Sequence, residues 1–264
     1  MTSIDVVVHG ATGRMGREVV AALCREEELR LVGAISKTSR GDYLALPDGS
    51  GSVPLSTDLK AMLDQTNPHV VVDFTNAGSC MNGATIVAEH HAALVTGTSG
   101  LSDQNLEQLS GLCEQYGIGI VVAPNFALGA VLLTYLAKQA APFFEYVDII
   151  EMHHEEKIDS PSGTALALAK SIGEIREFKR NVPEKETLLG TRGGDYQGVT
   201  VHSVRMAGRS AHHEVIFGAS GQTLSLRHDT LGRDCYMPAV MRTIREVVNL
   251  KTLVVGLDKI LGLS

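Results

Sequence analysis

Ile4-Asp5-Val6-Val7-Val8-His9-Gly10-Ala11-Thr12-Gly13-Arg14-Met15-Gly16 is the stretch that decides the fold. Ile4 to His9 is short, β-branched and, Asp5 and His9 apart, apolar, and a glycine follows at once, as in a strand buried on both faces of a parallel sheet. From Arg14 to Glu27 the spacing turns helical, with Met15, Val19, Val20, Leu23 and Cys24 sharing one face. Strand, glycine turn and helix in that order make a phosphate-binding junction. Gly10 and Gly13 permit a sharp turn and close approach of the backbone to a pyrophosphate, Gly16 permits tight helix–strand packing, and the first helical N–H groups face the anion. Ala11, Thr12 and Met15 complete the turn, and Arg14 adds a cation. A glycine pattern alone could serve backbone geometry only; a strand directly before it and a helix directly after it point to a dinucleotide.

Outward from that turn, the alternation continues. Strands are expected at Leu29–Ile35, at His69–Phe74 after the Asn67-Pro68 breaker, at Ala93–Thr96 and at Ile118–Val122, with helices at Gly78–His91 and Asp103–Tyr116. This is the pattern of an α/β protein whose N-terminal half is a Rossmann-type, doubly wound parallel sheet. The register changes after Pro124. A helix over Leu128–Ala141 and a strand over Val147–His154 precede strand-like runs at Val199–Met206, Glu214–Phe217 and Thr223–His228, and Arg233–Asn249 returns to helix. The division expected is a dinucleotide-binding domain of residues 1–124 plus 232–264 and an α+β substrate domain of residues 125–231. Asn181–Gly198, rich in Gly, Lys and Glu, is expected to be a mobile surface loop.

The end of the second strand, Ala34-Ile35-Ser36-Lys37-Thr38-Ser39-Arg40, lacks the carboxylate that holds a ribose 2′-hydroxyl in many NAD sites. Lys37 and Arg40 offer charge, and Ser36, Thr38 and Ser39 offer hydroxyls, to a 2′-phosphate. A solvated loop is the alternative. The expectation is NADPH preferred, with NADH usable.

Across 264 residues the formal charge is -7, with 44% hydrophobic and 20% charged residues. That is globular composition, and the acidic balance argues against nucleic acid as a partner. Cys24, Cys80, Cys113 and Cys235 are scattered without a C-x-x-C pair, so neither disulfides nor a cysteine metal site is expected. With no long apolar run and no basic leader before the first strand, a cytoplasmic enzyme without membrane attachment is expected.

The chemistry lies in Glu151-Met152-His153-His154-Glu155-Glu156-Lys157-Ile158-Asp159-Ser160-Pro161-Ser162-Gly163-Thr164-Ala165. Two histidines and a lysine precede a Ser-Gly-Thr turn that opens a helix at Ala165–Ile172. Ser162, Gly163 and Thr164 offer N–H groups and hydroxyls to a carboxylate, Lys157 a countercharge, and a histidine a proton near neutral pH. The target is an anionic substrate that is protonated during reaction. A metal is not expected, because adjacent histidines on a strand point to opposite faces and no H-E-x-x-H helix is present. A pair of histidines on a solvated strand end is the bland alternative. His212 and His213 are read as surface or structural.

Taken together, these motifs resemble those of the 4-hydroxy-tetrahydrodipicolinate reductase (dihydrodipicolinate reductase) family. The cofactor turn matches G-x-x-G-R-M-G at Gly10–Gly16, and the substrate segment matches E-x-H-H-x-x-K-x-D-x-P-S-G-T-A at Glu151–Ala165. Asp73-Phe74-Thr75, Gly97-Thr98-Ser99-Gly100 and Ala123-Pro124-Asn125-Phe126 agree as well. The resemblance implies a Rossmann domain with a substrate domain that assembles homotetramers, and hydride transfer from a nicotinamide to C4 of a cyclic dicarboxylate. It implies His153 as proton donor, Lys157 as substrate-binding and proton-transfer assistant, and His154, Ser162, Gly163 and Thr164 around the carboxylates. Phe74, Thr75, Gly97, Ser99, Ala123 and Phe126 would line the nicotinamide pocket, with Arg233 reaching it. Thr75-Asn76-Ala77 lacks the arginine that some members carry, which puts the cofactor contacts there in doubt. Rival readings are a related two-domain dehydrogenase, such as aspartate or homoserine dehydrogenase, and a nucleotide-sensing regulator without catalysis. The first would place its catalytic lysine or histidine in another context, and the second would not need His153 and Lys157.

Overall fold

The computed structural model describes residues 3–38 and 41–263. Ser39 and Arg40 therefore lie outside the described residues. The chain forms two compact units, one of residues 1–126 and 236–264 and the other of residues 127–235.

In chain order the first unit begins with β1 (Ile4–His9), α1 (Arg14–Leu23), β2 (Leu29–Ile35), β3 (Tyr43–Ala45), β4 (Ser52–Ser56) and α2 (Leu59–Thr66). It continues with β5 (Val70–Asp73), α3 (Ala77–Glu89), β6 (Ala93–Thr96), α4 (Asp103–Tyr116) and β7 (Ile120–Val122). The second unit holds α5 (Leu128–Ala140), β8 (Tyr146–His153), α6 (Gly163–Gly173), β9 (Gly194–Tyr196), β10 (Val199–Arg205), β11 (Ala211–Ala219) and β12 (Gln222–Thr230). The chain returns to the first unit with α7 (Met237–Val247), β13 (Leu253–Val255) and α8 (Leu257–Leu261).

The first sheet runs β13-β7-β6-β5-β1-β2-β4-β3, and every pairing is parallel except β3–β4. Its inner strands β1, β2, β5, β6 and β7 are predominantly apolar because both faces are covered, whereas the edge pair β3 and β4 is partly exposed. Val7, Val71, Leu94 and Ile120 pack with Leu59, Met62, Val87, Leu109 and Cys113 of α2, α3 and α4. Alternation sends the equally buried Val6, Val8, Val72 and Val121 to the other face, where α1 and α7 pack on the strands and on each other. The chain leaves β1 toward β2 and leaves β5 toward β6, in opposite directions along the sheet. Ligands bind at such a switch point, outside the carboxyl ends of the strands.

Several elements differ from the sequence expectation. Helix α1 stops at Leu23, and the following turn lets Glu26 and Glu28 pair with Arg245 of α7. Strands β3, β4 and β13 and helix α2 were not expected, and β13 extends the parallel sheet beside β7. Arg233–Tyr236 is a 3-10 turn before α7 rather than part of one helix.

The second sheet runs β12-β11-β8-β10-β9, parallel only at β8–β10. One face packs Val147, Ile149, Val201, Val215 and Phe217 against Leu133 and Ala137 of α5 and Leu168 and Ile172 of α6. Part of the expected Asn181–Gly198 loop is ordered as β9, an edge strand on β10, with Arg192 gripping Asp148 through two hydrogen bonds.

Candidate active site

In the first unit the glycine turn closes on the end of β2. Gly10 and Ala11 donate their N–H groups to the Ile35 carbonyl, each at 2.9 Å, and Gly13 donates back to the Gly10 carbonyl. Gly10 needs its φ of +87°, and a Cβ there would stand 2.9 Å from the Phe74 carbonyl oxygen. A Cβ at Gly16 would overlap the Gly10 carbonyl, so helix and turn approach as closely as backbone allows. Gly13 caps α1 with no side chain, which leaves the first N–H groups facing outward beside the exposed Arg14. Met15 is half-buried behind them. These are the features a pyrophosphate requires, and the cradle fits one.

The strand ends beside this turn are organised by a buried carboxylate. Asp73, ending β5, is 1% exposed, and His9 of β1 lies 2.8 Å away through Nδ1. Thr75 Oγ1 donates to it at 2.8 Å, Thr98 Oγ1 at 2.7 Å and Thr96 Oγ1 at 3.2 Å. Burial alone would raise its pKa, but His9, Thr98 and Thr75 together hold it below the ordinary range. One carboxylate thus ties the carboxyl end of β1 to the loop after β5 and to the end of β6 with the loop that follows it. Above them Phe74 and Phe126 lie ring to ring at 5.9 Å, and Gly97 has no room for a side chain because the Phe74 ring covers it. Ala123 is fully buried, bonded to the Thr96 carbonyl, and Ser99 is exposed on the same loop as Gly97. Gly10, Phe74, Thr75, Gly97, Ala123 and Phe126 are therefore gathered at the switch point. The His9–Asp73 pair was missed in the sequence; its signal was polar residues ending two adjacent, otherwise apolar strands.

At the end of β2, Lys37 is exposed. Ser36, expected to serve a phosphate, is instead buried, with Oγ 2.5 Å from Thr12 Oγ1 and donating to the Thr38 carbonyl. Its hydroxyl stitches the glycine turn to β2.

The second unit carries the other cluster. Strand β8 alternates, so Glu151 and His153 share the buried face with Val147 and Ile149, while His154 is exposed just past the strand end. Glu151 is 0% exposed. Arg205 of β10 meets it with two nitrogens, at 3.0 and 2.8 Å, the Ser162 N–H points at it from 3.4 Å, and a short hydrogen bond joins it to His153 Nδ1. Burial pushes the Glu151 carboxyl up, but Arg205, Ser203 and His153 bring it below the usual carboxylate range. Burial lowers the pKa of His153, and Glu151 only partly opposes this.

Ser162 is the N-cap of α6: its Oγ accepts from the Ala165 N–H at 3.1 Å and lies 3.3 Å from His213 Nε2. With its hydroxyl buried and used, Ser162 shapes the helix start, and Gly163 and Thr164 are the more open positions there. Lys157 Nζ lies 2.7 Å from Asp159. His212 and His213 are not on the surface. His212 pairs with Asp229 at 2.6 Å, and His213 packs edge-on to His153 at 5.4 Å, its pKa lowered by burial to about 4. Arg233 is exposed at the end of this unit. Among the described residues no cluster of three His, Cys, Asp or Glu is arranged to hold a metal ion.

Residues 4–126 match the family model described as "Dihydrodipicolinate reductase, N-terminus", and residues 129–261 match "Dihydrodipicolinate reductase, C-terminus". The chain is 50% identical to the 4-hydroxy-tetrahydrodipicolinate reductase of Dehalococcoides mccartyi, covering 100% of both chains. It is 41% identical to that of Moorella thermoacetica, over 99% of each. Among solved structures, a dipicolinate-bound dihydrodipicolinate reductase from Paenisporosarcina sp. TG-14 superposes with a TM-score of 0.88 at 38% identity, covering 98% of this chain and 99% of that one.

Proposed function

The chain belongs to the dihydrodipicolinate reductase family, and on that premise we propose that it reduces 4-hydroxy-tetrahydrodipicolinate to tetrahydrodipicolinate in the diaminopimelate route to lysine. The observation that carries this reading is the segment from Glu151 to Thr164. It sets a carboxylate-held histidine, a lysine and an open helix N-terminus within one stretch of the second unit. A related two-domain dehydrogenase of another amino-acid route is not favoured, since the relatives across the full length are reductases of this one kind.

A nicotinamide dinucleotide supplies the hydride when bound. In balance, one hydride enters at C4, one proton enters, and one water leaves the hydroxylated ring. Hydride addition without a matched proton would leave an unstable enamine-like carbon, so an acid is required. His153 is that donor, through Nε2. Its ring is buried enough to be neutral at rest, and an arriving dianion raises its proton affinity, so the substrate charges its own acid. Lys157 binds a ring carboxylate and assists proton transfer. Gly163 and Thr164 offer N–H groups to that carboxylate, Ser162 holds the helix start that aims them, and His154 contributes from the exposed strand end.

On the cofactor side, Gly10, Ala11, Thr12, Gly13, Arg14, Met15 and Gly16 receive the pyrophosphate. Phe74, Thr75, Gly97, Ser99, Ala123 and Phe126 line the nicotinamide, with Arg233 as a further contact. Lys37 receives a 2′-phosphate, so NADPH is preferred and NADH is usable. The working state in this reading is a cytoplasmic homotetramer. The reaction is tested with cofactor deuterated at the transferring position of C4. The product should gain one mass unit, and an unlabelled product would exclude direct hydride transfer.

A further inference from the structure

Glu151 is the one carboxylate on the core face of β8, and three groups from other elements converge on it and on His153. Arg205 comes from β10, Ser162 from the start of α6 and His213 from β11. A fully buried glutamate held by two guanidinium nitrogens is rigid and ionised. It accepts from Arg205 on both oxygens, and one of those oxygens also meets His153 Nδ1. Arg205 reaches further as well. Its Nη2 donates to the Asp159 carbonyl at 2.7 Å, which ties the Lys157-bearing loop to the same pair.

We propose that Glu151, clamped by Arg205, is a positioning residue that fixes the tautomer and ring orientation of His153. An ionised carboxylate has only acceptors, so the nitrogen facing it must carry the hydrogen. Neutral His153 is therefore the Nδ1–H form, with a lone pair on Nε2, and a proton taken up arrives on Nε2, the position from which it is delivered. The arrangement makes one nitrogen structural and the other chemical. This rests on the reading of His153 as proton donor, but the tautomer itself does not.

The substitution that isolates the effect is Glu151→Gln. The amide keeps the volume and offers one acceptor oxygen, which Arg205 claims. The NH2 group then faces Nδ1, which must accept, and the ring hydrogen moves to Nε2. Nitrogen-15 NMR of histidine-labelled protein reads this directly, with the His153 ring signals assigned by their loss in His153→Gln. The wild type should show Nδ1–H at pH above the His153 titration, and Glu151→Gln should show Nε2–H. In the same variant kcat should fall on the order of 10²-fold, while KM for the cofactor stays unchanged. A wild-type Nε2–H tautomer overturns the proposal, as does a Glu151→Gln protein that keeps both the wild-type tautomer and kcat. If Glu151→Gln does not fold, the wild-type tautomer still decides. If the tautomers are as stated but the wild type reduces no substrate, the assigned reaction fails and the hold of Glu151 on His153 stands.

Discussion

Lys157 Nζ rests 2.7 Å from the carboxylate of Asp159, two residues along the same loop, and the Gly163 N–H at the start of α6 faces that carboxylate too. Lys157 first, and Gly163 to a lesser degree, hold the Asp159 pKa below its ordinary value. An internal anion thus draws on the groups assigned to a substrate carboxylate. Lys157→Ala should raise substrate KM about tenfold or more. Asp159→Asn should lower it by up to about fivefold, since an exposed pair of this kind is weak. Steady-state kinetics check both, and an unchanged KM in Lys157→Ala would remove Lys157 from the site.

His153→Ala should lower kcat on the order of 10²-fold, the usual contribution of a positioned acid. Substrate-analogue affinity should change far less, which separates proton delivery from binding. Wild-type kcat/KM in this variant would mean that another group supplies the proton.

Binding of pyridine-2,6-dicarboxylate should be competitive with substrate and should take up protons. His153 has its pKa lowered from 6.5 by burial, with Glu151 opposing. A bound dianion raises it again, so between the free and bound values a proton enters with the ligand. Calorimetry near pH 6.5, in buffers of different ionisation enthalpy, should report net uptake that disappears in His153→Gln. Equal enthalpies in all buffers for the wild type would contradict this.

Much of the candidate site is legible from residue type and order alone. The glycine turn and the Glu151–Thr164 segment are local in sequence, so spacing suffices to find them. What escaped was long-range. Asp73 matters because β1, β5 and β6 end side by side, and Arg205 because β10 lies parallel to β8, neither of which local spacing reveals. His212 and His213 read as surface or structural residues from their neighbours in sequence; β11 is an inner strand and buries both, which removes the surface half of that reading only. Strands β3 and β13 have three residues each, too few to show a period. Ser36 was expected to meet a ligand, and the nearby Thr12 claims its hydroxyl first.

Asp73→Asn should destabilise the protein by about 1–3 kcal/mol at pH 7, because hydroxyl donors and His9 lose a buried anion. The sign with pH follows from its depressed pKa. The stabilisation is present above the unfolded value of 3.8 and is lost as pH falls through the lower folded value. Denaturant melts of variant and wild type should therefore converge in acid. A constant difference from pH 7 down to pH 3 would show that Asp73 acts by packing alone.

Cofactor choice should follow Lys37. NADPH should exceed NADH in kcat/KM by about five- to thirtyfold, shrinking with salt because the contact is exposed. Lys37→Glu should remove or reverse the preference, and an unchanged ratio would leave Lys37 a solvated residue.

The proposed reaction is tested most directly by one coupled assay. Pyruvate and aspartate semialdehyde, condensed by a purified synthase, supply the cyclic substrate while absorbance follows the reduced cofactor. Oxidation should start only when synthase, both precursors and this protein are present together, and should stop on adding pyridine-2,6-dicarboxylate. No oxidation of NADPH or NADH in the complete mixture, with folded protein and active synthase verified, would contradict the account.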